Sequence, residues 1–135
     1  MQRKIGAITL VVKDYDEAIQ FYIEKLNFIL VEDIKLDDAK RWVLITPSLD
    51  SDTNILLARA TTQPQEEAIG NQTGGRVFLF LYTNDFWKDY NHMKSKGVSF
   101  LEQPRDEIYG TVVVFEDLYG NKWDLIEIKK NISTS

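Results

Sequence analysis

Residues 109–128, YGTVVVFEDLYGNKWDLIEI, constrain the chain more than any other stretch. Val112, Val113 and Val114 form a β-branched run. Asp117-Leu118-Tyr119-Gly120-Asn121 carries turn chemistry with a glycine free to take positive φ, and Trp123 to Ile128 returns as a second strand. The stretch therefore reads as a β-hairpin.

The rest of the chain reads as a pattern that occurs twice. Ile5 to Val12 is predicted as a strand, and Asp14 with Glu17 makes a capping-box arrangement that opens a helix. Tyr15, Ala18, Ile19, Tyr22, Ile23 and Leu26 recur at three- and four-residue spacing as its buried stripe, and Asn27, which tolerates the left-handed region, ends it. Strands are expected over 28–36, 41–47 and 54–60, separated by polar turns at Asp37-Asp38 and Ser48 to Asp52. Residues 61–75 read as a linker with a short helical turn around Gln65 to Ile69.

A strand over 76–82, a helix capped by Asn84 and ended by Gly97, and strands over 98–103, 111–115 and 122–128 then repeat the order βαβββ. Superposing the halves at a spacing of about 69 residues puts Ala7 near Arg76, Asn27 on Gly97 and Leu56 near Asp124. The expected organisation is one domain over 1–135, with module 1 at about 4–60, the linker at 61–75, module 2 at about 76–129 and a tail at 130–135.

Gly110, Phe115, Asp117, Gly120-Asn121 and the Asp124-Leu125-Ile126-Glu127 end resemble the closing hairpin of the vicinal oxygen chelate superfamily, the glyoxalase, bleomycin-resistance and extradiol-dioxygenase group. The resemblance spans residues 4–129 and implies an α+β fold of two tandem βαβββ modules forming an incomplete β-barrel around a cavity, commonly as a homodimer. It also implies that metalloenzymes of the group hold a divalent ion through inward-facing His or Glu on the first, fourth, fifth and eighth strands. The matching positions here are Ala7, Leu56, Arg76 and Asp124, and the chain has one histidine, His92, inside the second predicted helix. No metal and no cofactor are expected.

Strand alternation assigns the cavity wall. Ile8, Leu10, Val12 and Val77, Leu79, Leu81 are expected to point to the helices. Ala7, Thr9, Val11, Asn54, Leu56, Ala58, Arg76, Phe78, Phe80, Tyr82, Lys122, Asp124 and Ile126 then face inward, with Trp42 from the third strand. Arg76 and Asp124 are expected to form an ion pair in the space a metal would fill, with spare guanidinium donors for an anionic or carbonyl oxygen of a ligand. Around them Phe78, Phe80, Tyr82, Trp42, Leu56 and Thr9 suit a small, partly planar organic molecule, and the same aromatics read equally as core. Trp87, Tyr90 and Met93 read as core of the second module, and Tyr109 and Glu116 as acid-base groups at a pocket mouth.

Composition removes other classes. A net charge of −5 and no basic cluster exclude a nucleic-acid or anionic-membrane surface. No apolar run approaches the ~18 residues of a membrane span, and the N-terminus lacks the apolar core of a signal peptide. With no cysteine there is no disulfide framework or thiol nucleophile, so a cytoplasmic protein is expected and the Asn71 and Asn131 glycosylation matches are chance. Three functions remain: a metal-free binder of a small organic molecule; a lyase, isomerase or dioxygenase with an atypical metal site or a metal-free acid-base mechanism using Asp124 or Glu116; or an interaction protein whose cavity is filled and whose dimer surface is the function.

Overall fold

Asp14 caps the first helix as its spacing to Glu17 predicts. Its carboxylate accepts from the Glu17 N–H at 2.9 Å, just after β1 (Ala7–Val12) ends. Helix α1 (Tyr15–Gln20) runs on into a π-helical turn (Phe21–Lys25), and Phe21, three residues after Ala18, is buried with Tyr15, Ala18, Tyr22 and Leu26. Asn27 then ends the helix at φ 59°. Strands β2 (Ile29–Lys35), β3 (Arg41–Thr46) and β4 (Asn54–Arg59) complete a sheet in the order β1-β4-β3-β2, with β1 parallel to β4. Helix α1 packs on β4. Leu10, Val12, Val43, Ile45, Ile55 and Leu57 are buried on the helix side. Thr9, Leu44 and Leu56 register on the other face, which is called open below.

The computed structural model describes residues 2–129, so the predicted tail at 130–135 and the Asn131 match lie outside the described residues. The segment expected as a linker is largely structured. Thr62 accepts from the Gln65 N–H to cap α2 (Gln63–Ala68), α2 touches β1, and the Gln72 side chain accepts from the Val11 N–H at 3.3 Å. One compact unit accordingly ends at Gln72 and a second begins at Thr73.

The second unit contains β5 (Val77–Tyr82), α3 (Phe86–Ser95), β6 (Ser99–Phe100), β7 (Arg105–Glu107), β8 (Gly110–Glu116) and β9 (Lys122–Ile128). Its sheet runs β5-β9-β8-β6, with β7 also paired to β8. The strand predicted over 98–103 shrinks to two residues. Its Glu102 side chain, rather than a backbone carbonyl, takes the Val114 N–H at 3.0 Å, and Pro104 has no N–H to give. Asp85, not Asn84, caps α3, and the first helical N–H, of Phe86, donates to Glu127 Oε1 at 2.7 Å. The stripe of α3 is Phe86, Tyr90 and Met93; Trp87, expected as core, is 55% exposed because it lies one residue off that stripe.

The predicted hairpin forms with Gly120 at φ 97°. Buried Asp117 holds the turn: Oδ1 accepts from the Tyr119 and Asn121 N–H groups and Oδ2 from Asn121 Nδ2, each at 2.9 Å. A core of rings lies under α3. Trp123 stacks on Phe115, Phe115 meets Phe100, and Phe100 meets Tyr90 on the helix.

Candidate functional site

Pairing with β9 fixes which residues of β5 share the open face of the second sheet. Phe80 is opposite Asp124 and Tyr82 opposite Ile126, both facing away from Trp123 and Leu125. The two rings are 57% and 66% exposed, so they are surface rather than filled core. This agrees with the sequence expectation for Phe80 and Tyr82. For Phe78 the expectation fails. Between Val77↔Lys122 and Leu79↔Trp123 the strand holds one extra residue, a β-bulge that inverts the alternation on its N-terminal side. Phe78 turns toward the helix layer, its ring edge-on to Trp123 at 6.1 Å, and Val77 takes the open face with Lys122.

The bulge also separates Arg76 from Asp124. Arg76 precedes β5, and its side chain makes no hydrogen bond or ion pair among the described residues. The expected Arg76–Asp124 pair is not formed, because the repeat spacing took no account of the extra residue. Asp124 lies instead in the field of Arg105 and Glu102. Arg105, from β7, donates Nε to Glu102 at 2.9 Å and Nη1 to Glu107, and these carboxylates with Tyr109 hold its charge firmly on. Burial raises the pKa of Asp124, Arg105 draws it down and Glu102 pushes it up further. Oδ1 of Asp124 is buried and has no hydrogen-bond partner among the described residues.

A carboxyl group with an orphaned oxygen thus sits on a sheet face flanked by Phe80, Tyr82, Val114 and Ile126. Sequence reasoning found Asp124, Phe80 and Tyr82. It missed Glu102, Arg105 and Glu107, which lie where a continuous strand was expected; the proline at 104 was the available signal that the strand breaks. Tyr109 joins the Arg105 cluster, and Glu116 registers with Lys122 at the far end of β8.

The open face of the first unit carries Thr9, Val11, Leu44, Leu56, Ala58 and Trp42, as the alternation predicts for Thr9, Leu56 and Trp42. Trp42 is 39% exposed, and its indole N–H donates to Glu32 at 3.2 Å. Leu44 and Glu32 were not singled out from the sequence.

A sequence model described as the glyoxalase/bleomycin resistance protein/dioxygenase superfamily matches residues 4–125. The chain belongs to this superfamily. Among similar proteins, one of Shewanella frigidimarina is 54% identical over 129 residues, covering 95% of this chain and 96% of the relative. YurT of Bacillus subtilis is 30% identical over 130 residues, covering 92% and 98%. The crystal structure of UcmS2 superposes with TM-score 0.80 at 25% identity over 93% of this chain and 98% of that one. TnmS3, described as an antibiotic binding protein from Streptomyces sp. CB03234, superposes with TM-score 0.76 at 23% identity over 95% and 98%.

The glyoxalase-type metal site does not fit the residues present. Ala7 and Leu56 are apolar, Arg76 is a cation, and Asp124 has Phe80 as its cross-strand neighbour. Among the described residues, no group of three or more His, Cys, Asp or Glu could hold an ion.

Proposed function

We propose that this member of the glyoxalase/bleomycin resistance superfamily binds a small organic molecule without a metal, acting in the cytoplasm as a homodimer that sequesters the ligand or presents it to another protein. The observation that carries the reading is Asp124. A carboxyl oxygen left buried without a partner is destabilising unless something donates to it, and here the exposed rings of Phe80 and Tyr82 lie on the same sheet face. Phe80 and Tyr82 offer flat surfaces for a planar ligand and Asp124 fixes its orientation. Trp42, Leu56 and Thr9 present a comparable surface in the first unit. The description of TnmS3 as an antibiotic binding protein supports a binding role by analogy of fold.

Mass spectrometry of small molecules released from purified protein tests this, together with elemental analysis. An organic compound held per chain, lost on Phe80→Ala or Asp124→Ala, supports binding. One Zn, Ni, Mn or Fe per chain after dialysis, lost on Asp124→Ala, would overturn the metal-free reading. Sedimentation at micromolar concentration giving only a species near the 15.7 kDa chain mass would overturn the dimer.

A second reading has one observation in its favour. The raised pKa of Asp124 on an open face is the kind of perturbation found in acid-base catalysts. Turnover of the copurifying molecule, abolished by Asp124→Asn while binding persists, would select it.

A further inference from the structure

Beside Asp124, at the starts of β5 and β9, lies a shallow, solvent-open cavity of about 380 Å³ lined by Gly75, Arg76, Val77, Leu101, Glu102, Val114 and Lys122. Its volume is within the range of about 300–1,000 Å³ that small-molecule sites occupy. Val77, Leu101 and Val114 make the walls apolar, and the charges divide unevenly among the rest. Glu102 has both oxygens engaged, Oε1 by Arg105 Nε at 2.9 Å and Oε2 by the Val114 N–H at 3.0 Å. Glu102 shares Arg105 with Glu107, so these three groups together keep one negative charge, with both Glu102 oxygens already engaged. Lys122 Nζ donates to the Gly75 carbonyl at 3.2 Å, which leaves two of its protons uncommitted. Arg76 has five donors and no acceptor among the described residues. Arg76 and Lys122, the two cations lining this site, are in no ion pair among the described residues, in a chain whose net charge is −5.

We propose that this cavity is an anion subsite, in which Arg76 and Lys122 receive the carboxylate or phosphonate group of an organic acid whose apolar portion lies on the open sheet face. The assignment rests on the small-molecule reading above and narrows its ligand to organic acids. A guanidinium offers paired N–H groups to two anionic oxygens, and the ammonium adds a point charge from the neighbouring strand. Asp124 lies two residues along β9 on the same face, and its burial disfavours its charged form. The β5 bulge makes the site. With Val77 on the open face beside Lys122, Arg76 is brought to the cavity rather than to Asp124. The adjacent cavity lined by Tyr90, Lys94, Phe100, Leu101, Glu102 and Gln103 has a lysine as well, but its ammonium sits over the Tyr90 ring at 5.9 Å.

Three probes of equal apolar length test the assignment by amide-resonance titration of the full chain at low salt: 4-phenylbutyrate, 4-phenylbutanol and 4-phenylbutylamine. The acid is expected to bind about tenfold more tightly than the alcohol, one charge-assisted interaction. Arg76→Gln and Lys122→Gln should each remove most of that advantage without changing alcohol binding, and Lys94→Gln should change neither. Added salt should weaken the acid alone. Both substituted residues project from the protein rather than into its core, and unchanged amide spectra will confirm folding. Alcohol and amine binding as tightly as the acid, with no loss in either variant, would overturn the anion subsite and leave the organic-ligand reading intact. Failure of all three probes to bind the open face would overturn both.

Discussion

Phe80 lies directly across from Asp124 in the β5–β9 pairing, so an exposed ring stands beside a carboxyl group with a buried, unpartnered oxygen. The carboxylate form is the disfavoured one at this position. Because the folded-state pKa is raised, Asp124 contributes most to stability below its unfolded value of about 3.8, and that contribution is lost as pH rises through the folded value. Asp124→Asn should therefore be at least as stable as the parent at pH 7. The difference should close as pH falls below 4, a trend that denaturant midpoints at stepped pH will reveal. A variant less stable than the parent at neutral pH would show that the carboxylate has a partner.

Arg76 and Asp124 should behave independently. In a double-mutant cycle with Arg76→Met and Asp124→Asn, the coupling should stay below about 0.5 kcal/mol, the level expected of residues that do not touch. Arg105→Met, by contrast, frees Glu102 and Glu107 at once and should couple to Glu102→Gln by roughly 1 kcal/mol, as befits a half-exposed ion pair. Chemical denaturation of the single and double variants measures both quantities.

Asp117→Ala removes three hydrogen bonds from one buried turn and strands two backbone N–H groups. A loss of about 2–4 kcal/mol is expected, seen as a lower denaturation midpoint. Asp117→Asn, which keeps an acceptor oxygen, should recover part of it.

Gly110 is fixed by proximity rather than by dihedral angle. A Cβ there would meet the Glu127 carbonyl oxygen at 2.3 Å, and that oxygen belongs to backbone in the paired strand. Gly110→Ala should cost about 1–3 kcal/mol or more, as overpacking against an unyielding neighbour does. A thermal shift of less than a degree would mean that the end of β8 gives way freely.

The sequence was legible wherever a local rule acted alone. Asp14 with Glu17, Asn27, Gly97 and the Asp117–Asn121 turn each state their own geometry, and all form as their residue types require. Alternation likewise placed Thr9, Leu56, Phe80, Tyr82 and Asp124 on the open faces. It failed at Phe78 because a bulge has no residue signature and is set by pairing with a strand more than forty positions away. The Arg105 cluster was hidden for a related reason: Glu102 replaces a backbone acceptor with its side chain, an exchange that periodicity does not register.

The extra residue at Phe78 also determines how this chain can be compared with others. A homologue lacking it would carry the start of its fifth strand in opposite phase. An ungapped alignment would then match its ligand-facing letters with helix-facing letters here, and covariation computed over those columns would pair residues on opposite sides of the sheet. Deleting the single codon for Phe78 should remove the bulge within this protein while leaving Val77 beside Lys122 and Phe80 beside Asp124.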